Sequence, residues 1–302
     1  MKNRKNLFIG LSILTLVIVL GGLFTIQRIY LTDIPIRLAG LFTDQPAAVA
    51  LAVSSPFYYT FNVNGTLDEA GAMDQSWSPY WWLNSGGQMH LSLGIGQTVQ
   101  GNLGTLSKWR LAYFLSNPTD TDNGYHPQNI FRLVTRSLWQ NFKEEAYFRI
   151  NADNVSDSPN RNQSNGILLF NRYLDSNNLY YAGIRVDGLA VIKKKMNGTY
   201  YTLNSKKIYT DASYERKTSP NLLPHGTWVG LRSEVLNNPD NTVTIRLFTD
   251  VGKTGVWKLV LETKDDNKSF GGNAISSSGY AGIRLDFMDV DFSNYKITNI
   301  TS

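Results

Sequence analysis

Hydrophobic and polar positions alternate along most of this chain in short runs separated by turn-forming clusters. The densest stretch is 166–203, GILLFNRYLDSNNLYYAGIRVDGLAVIKKKMNGTYYTL, which predicts four consecutive antiparallel strands. Asp187-Gly188 and Asn197-Gly198 stand between runs rich in Ile, Val, Leu and Tyr. Such pairs favour two-residue hairpin turns, because both central residues accept positive φ. Residues 175–178, DSNN, make a looser first turn. Further β-type runs cover 57–63, 88–93, 106–114, 131–138, 145–150, 228–235, 242–249, 257–262 and 279–297. No long segment has the apolar spacing of an amphipathic helix, so the pattern predicts an all-β antiparallel sandwich or barrel.

Two-residue loops would set Val186 opposite Leu189, Ile184 opposite Val191 and Lys195 opposite Tyr200, since pairing runs outward from the turn. One face then collects Ile167, Leu169, Ile184, Val186, Leu189 and Val191 as core, with Lys193 and Lys195 at its far end. The other collects Arg172, Tyr181, Arg185, Lys194 and Tyr201, with Leu168, Phe170 and Ile192 between them. The later strands sort more cleanly: Val229, Leu231 and Val235 fall opposite Trp228, Arg232 and Glu234, and Val243, Ile245 and Leu247 opposite Arg246 and Phe248. Outward residues from several strands, Arg172, Tyr181, Arg185, Lys194, Arg232 and Glu234, form the candidate ligand-binding patch.

The N-terminus changes the picture. Residues 7–26, LFIGLSILTLVIVLGGLFTI, contain no charge, and twenty helical residues at about 1.5 Å each span a hydrocarbon layer roughly 30 Å thick. Ala48-Val49-Ala50, the nearest A-x-A pattern, lies too far downstream for signal cleavage, so the segment reads as an uncleaved signal anchor. Lys2, Arg4 and Lys5 outweigh Arg28 and place residues 1–6 in the cytoplasm and the remainder outside the cell membrane. Residues 27–55 read as a juxtamembrane connector and 56–302 as one β domain.

The formal charge is +5, but residues 1–28 hold four of the Lys and Arg residues and no acid, so residues 29–302 carry 5 − 4 = +1. That balance argues against nucleic acid as the partner, because phosphate binding needs concentrated basic surface. The chain has no cysteine, which excludes disulfides and thiolate metal sites.

The segment 165–195, the HGTWVGLRSEV strand at 225–235 and the closing GYAGIRLDFMDVDFSNYKI at 279–297 together resemble the concanavalin A-like lectin/glucanase superfamily, including its laminin-G-like modules. The resemblance covers about 166–297 and implies a jelly-roll sandwich, with 56–165 supplying the earlier strands. Members include lectins, glycosidases and polysaccharide lyases, so the fold alone does not set the function.

Tests for specific chemistry give few positives. A retaining glycosidase similar to the laminarinases needs a Glu-x-Asp-x-x-Glu strand to set two carboxylates about 5 Å apart; the six Glu of this chain form no such motif. Asp289 and Asp291 share a strand face, where Arg-paired or solvated roles are the alternative to a carboxylate pair. Arg232-Ser233-Glu234-Val235, Gln88-Met89-His90 and Tyr180-Tyr181-Ala182-Gly183 echo alginate-lyase strands, but in the wrong order and without the Lys. Legume-type metal ligands form no recognisable set. Asp120-Thr121-Asp122-Asn123-Gly124 has the alternate carboxylates of a calcium loop, although Phe131 stands where an EF-hand places Glu; Ca2+ held by Asp120 and Asp122 is the one cofactor the residues suggest, and an exposed turn is the alternative. His90, His126 and His225 are too scattered for a zinc site. Trp77, Tyr80, Trp81 and Trp82 offer either faces for sugar rings or core plugs. Asn64, Asn154, Asn162, Asn197, Asn267 and Asn299 begin Asn-x-Ser/Thr glycosylation patterns.

Two functional readings follow. In the first, a membrane-anchored module binds a glycan or a neighbouring envelope protein without catalysis. In the second, the same face cleaves an acidic polysaccharide as a lyase or glycosidase, with Arg172, Arg185 or Arg232 against carboxylates and Tyr181 or Glu234 in proton transfer; for a lyase, His90 is a further residue to check. A structural role in the cell envelope is a third, weaker option.

Overall fold

The computed structural model describes residues 46–301. The expected stub, membrane helix and first part of the connector lie outside the described residues. Among those described, no helix is long and apolar enough to cross a membrane.

The first half of the described chain contains β1 (Phe57–Tyr59), β2 (Gly65–Asp68), β3 (Trp81–Ser85), β4 (Gln88–Ser92), β5 (Ile95–Gln97), helix α1 (Lys108–Ser116), β6 (Ile130–Trp139) and β7 (Phe142–Asp153). The four-strand meander is β8 (Gly166–Asp175), β9 (Asn178–Arg185), β10 (Leu189–Met196) and β11 (Thr199–Lys207). Then come β12 (Val229–Asn237), β13 (Val243–Val251), β14 (Lys258–Asp265), β15 (Gly279–Asp286) and β16 (Met288–Asn299). One sheet has nine strands in the order β14-β13-β12-β7-β16-β5-β4-β2, with β1 also paired to β16; the other has seven in the order β11-β10-β9-β8-β15-β6-β3. The expected all-β antiparallel sandwich is therefore observed.

The run at 279–297 divides at Phe287, whose φ of 55° breaks the extended backbone. This carries the chain from the seven-stranded sheet, through β15, into the nine-stranded one, through β16. The core lies between the sheets, where Trp81, Phe131, Phe142, Phe148, Phe292 and Tyr295 are all buried. Trp81 thus serves as a core plug, and Trp77 and Tyr80 pack partly buried against the same core. The sandwich also claims part of the expected connector: Ala48 N donates to Ser76 O at 2.9 Å and Leu51 N to Pro79 O at 3.1 Å.

The expected β run at 106–114 is helical instead. Trp109, Ala112 and Tyr113 are its buried residues, and the last two stand three and four positions after Trp109, which puts all of them on one helical face. They pack with Val99, Leu103 and Ile130 in a small separate cluster. Residue type at single positions suggests a strand here; the spacing of the large residues specifies the helix.

The second hairpin of the meander differs by one residue from expectation, and that residue decides the site. At Asn197-Gly198 both φ values are positive, 50° and 82°, and Lys195 pairs with Tyr200 as a two-residue turn requires. At Asp187-Gly188 only Gly188 has positive φ, and Ile184 pairs with Ala190 rather than Val191. The Asp187 carboxylate accepts from Leu189 N at 3.2 Å and from Arg185 Nη2 at 2.5 Å, shaping a longer loop in the manner of an Asx turn. A one-residue slip moves every side chain of a strand to the other face. Ala190 and Ile192 therefore join Ile184 and Val186 in the core, while Lys194 turns inward and Lys193 and Lys195 turn out.

Candidate ligand-binding groove

The outer face of the seven-stranded sheet carries two adjoining clefts of about 480 and 420 Å³. Both are lined by Ile130, Arg132, Tyr181 and Tyr200, so they form one groove with these residues at its middle. Register explains the convergence. Arg132 on β6 stands directly opposite Arg284 on β15, Phe170 on β8 opposite Tyr181 on β9, and Tyr181 opposite Lys193 on β10. Side chains at paired positions share a sheet face.

Tyr181 and Tyr200 are stacked, with ring centroids 6.0 Å apart, and their hydroxyls hydrogen-bond each other. Lys195 Nζ sits 4.8 Å from the Tyr200 ring centre and the Arg284 guanidinium 5.2 Å from that of Tyr181. Burial pushes the Tyr181 hydroxyl above its ordinary value. Burial pushes Tyr200 up as well, but Arg284, the Tyr181 hydrogen bond, Lys195 and Arg132 together outweigh it and bring the phenol down to about 8. Burial, then the neighbouring Arg185 and Arg284, disfavours the Lys193 ammonium. Arg284 is held by Asp286 through Nε contacts of 2.9 and 3.1 Å.

One end of the groove contains a group that motif searching passes over. Glu69 follows β2 in a loop and is only 6% exposed. Its Oε2 accepts from the Tyr113 hydroxyl at 2.5 Å and from Gly87 N at 2.8 Å. Burial raises this carboxyl to about 7, against the lowering effect of those hydrogen bonds and of Arg132. A lone Glu in a loop has no spacing to mark it; only the tertiary approach of α1 and β3 makes its environment. Trp82, on the same wall, is fixed by an Nε1 donation to Ala70 O at 2.8 Å.

The six expected ligand-binding residues do not converge. Tyr181 lies in the groove. Arg185 lines neither cleft and is tied to Asp187 and to Gln163 O. Arg172 is fully buried, because a β-bulge between Asn171 and Asp175 and a φ of 53° turn it inward; it donates to Gln140 O, Ile275 O, Asn141 Oδ1 and Asn237 Oδ1. Lys194 is buried against Asp265 through the register slip. Arg232 and Glu234 do face outward, but from the nine-stranded sheet, on the far side of the sandwich. There Arg232 pairs with Glu145 at 2.7 Å and covers Trp257 at 4.2 Å, and Glu234 lies 3.6 Å from Arg246. A single patch of all six is excluded by this geometry. His90, on β4, belongs to the nine-stranded sheet too, bonded to Thr66 and Gln88.

The loop acids also have protein partners. Asp120 Oδ1 accepts from Ser158 Oγ and Asn160 Nδ2, and Asp122 binds Ser156 Oγ and His126 Nδ1. In the structure both carboxylates are held by these side chains of the chain itself. No group of three or more His, Cys, Asp or Glu suited to a metal occurs among the described residues. Asp291 is paired with Arg149 at 2.5 Å, and Asp289 accepts from Gly101 N, Gln128 and Asn154, so both brace the closing strand.

No family model and no curated protein matches the chain. Among solved structures it is similar to the carbohydrate-binding module CBM66 from Bacillus subtilis, at 13% identity over 72% of this chain and 95% of that one, with a TM-score of 0.42. It is similar to a Bacillus licheniformis β-glucanase, at 11% identity over 83% and 100% of the two chains, with a TM-score of 0.43. A third is the Ca2+-bound exoplasmic/lumenal domain of VIP36, at 8% identity over 78% and 90%, with a TM-score of 0.40.

Proposed function

We propose that this protein is a membrane-anchored module that binds a glycan in the groove of its seven-stranded sheet without cleaving it. The observation that carries the reading is the pair of adjoining clefts that share the Tyr181–Tyr200 pair as lining. Sugar rings combine apolar C–H faces with hydroxyl rims, and a groove that sets aromatic faces beside fixed donors matches both. Trp82 and Phe170 extend the apolar surface, and Arg132, Lys195 and Asn84 supply donors along it. The expected anchor at residues 7–26 would hold the groove outside the cell membrane, within reach of envelope glycans.

The test is titration of the full chain, in detergent, against a panel of envelope and plant oligosaccharides. Binding that weakens about tenfold or more in Tyr181→Ala, with no release of reducing ends or unsaturated uronates, is the expected result. A chain that binds no member of the panel would sink the reading.

One observation favours the enzymatic alternative: Glu69 lies in the groove with its carboxyl raised to about 7, where a general acid works near neutral pH. Turnover of any panel glycan that disappears in Glu69→Gln would replace the binding reading with this one.

A further inference from the structure

Three cations in the groove have no carboxylate within ion-pair distance, although Glu69 acts on Arg132 and Asp187 on Lys193 from farther away. Among the described residues, Arg132, Lys193 and Lys195 form no ion pair with any carboxylate, whereas Arg284 beside them is paired with Asp286. Arg132 donates only to neutral oxygens, of Ser85 and Ile130. Lys195 donates to Ser176 O, and Lys193 is half-buried opposite Tyr181, lining the second cleft.

This arrangement works against the fold. Arg132 and Arg284 are directly opposed on adjacent strands, and like charges so placed repel. Residues 29–302 carry a net charge of only +1, so the cluster is a local concentration rather than a sample of a basic surface. Of the acids that line the clefts, Asp286 is already used by Arg284, Asp120 by Ser158 and Asn160, and Asp175 by Asn177 N and Asn178. Glu69 accepts from Tyr113 and Gly87, and Arg132 acts on it without forming an ion pair.

We infer that the groove is built for an acidic glycan, whose carboxylate or sulfate groups would be neutralised by Arg132, Lys193 and Lys195 while its ring faces lie on Tyr181 and Tyr200. This rests on the glycan-binding reading above and adds the charge of the ligand. An anion in the middle of the groove relieves the repulsion between the two arginines and the unfavourable setting of Lys193 together, so the same side chains that burden the free protein contribute to the complex.

The experiment uses the full chain in detergent with four probes: polygalacturonate oligosaccharides, the same oligosaccharides after carboxyl reduction, dextran sulfate and neutral dextran. The expected result is binding of at least one acidic probe about tenfold or more tighter than its neutral counterpart, with an affinity that falls as salt rises. Preference for polygalacturonate or for dextran sulfate then identifies carboxylate or sulfate as the group read. Lys193→Ala and Lys195→Ala should each weaken that binding several-fold and reduce its salt dependence, while Lys258→Ala, on exposed β14 of the other sheet, should leave it unchanged. Equal affinity for acidic and neutral members overturns the inference but leaves glycan binding intact. An equal loss in Lys258→Ala also overturns it, because the attraction would then be diffuse. Binding of none of the four probes, alongside binding of a neutral envelope glycan, overturns it as well; failure with every glycan removes the underlying reading.

Discussion

Lys194 Nζ lies 2.9 Å from Asp265 Oδ2, and neither side chain has any exposed surface. The Tyr180 hydroxyl donates to the same oxygen at 2.6 Å, and Nζ also donates to Gly272 O at 3.0 Å and Asn273 O at 2.7 Å. The pair fastens the segment after β14 onto the meander. Removing one member of a buried pair strands the other charge, which costs about 3–5 kcal/mol. Lys194→Met should therefore lower the unfolding free energy by that amount in urea melts. Lys194→Met with Asp265→Leu should recover most of it, since the stranded carboxylate is gone; a double variant as weak as the single would show that packing, not charge, is responsible.

That lysine also shows where the chain is legible in its sequence and where it is not. The meander, the sandwich and the inward sets of β12 and β13 follow from alternation and turn residues, because each depends on neighbours within one hairpin. The Asp187-Gly188 loop depends on a side chain: Asp187 accepts from Leu189 N and adds one residue. With it Lys194 exchanges faces with Lys193 and Lys195. The inward turn of Arg172 likewise rests on acceptors about 30 to 100 residues away in sequence, and Glu69 gains its setting from α1. Local pattern carries no record of such partners. Tyr181 is legible in the sequence because its hairpin neighbours alone hold it on the outer face.

Arg172 is a structural cation. Burial brings its guanidinium down to about 10, and four neutral oxygens satisfy it in place of a carboxylate. Arg172→Met should leave these buried acceptors without a donor, at about 1–3 kcal/mol for an unsatisfied group. We expect a loss of about 3 kcal/mol or more in urea unfolding. Glycan affinity of the folded fraction should be unchanged, and a selective loss of affinity without loss of stability would return Arg172 to the binding site.

Glu69 should make stability depend on pH. Its carboxyl rises from an ordinary 4.5 to about 7 in the folded chain, so the folded state holds the proton more tightly than the unfolded state. The stabilisation is fully present below about pH 4.5 and is lost as pH rises to about 7, a change on the order of 3 kcal/mol. Glu69→Gln has no proton to lose and should flatten this part of the profile in unfolding measurements across the window. Buried Glu144, bonded by the Tyr295 hydroxyl at 2.8 Å, is raised in the same direction by burial and should supply a slope that survives in the variant. Identical profiles for the two proteins would show that Glu69 does not titrate there.

Tyr200 should report on the groove from inside it. With its phenol at about 8, it begins to ionise just above neutral pH, and near-ultraviolet titration should show one tyrosinate forming there that Tyr200→Phe removes. The Tyr200 phenolate is favoured by the same cations that an acidic glycan would engage, so ligand and phenolate compete for them. Binding of an acidic glycan should then raise the titration midpoint of Tyr200. By linkage, affinity should fall as pH rises through about 8. In Tyr200→Phe that fall should be absent, even if the loss of the hydroxyl weakens binding at every pH. A midpoint that stays at about 8 in saturating polygalacturonate would mean that bound glycan and the Tyr200 hydroxyl do not share Arg132, Lys195 and Arg284, and that the acidic groups lie elsewhere in the groove.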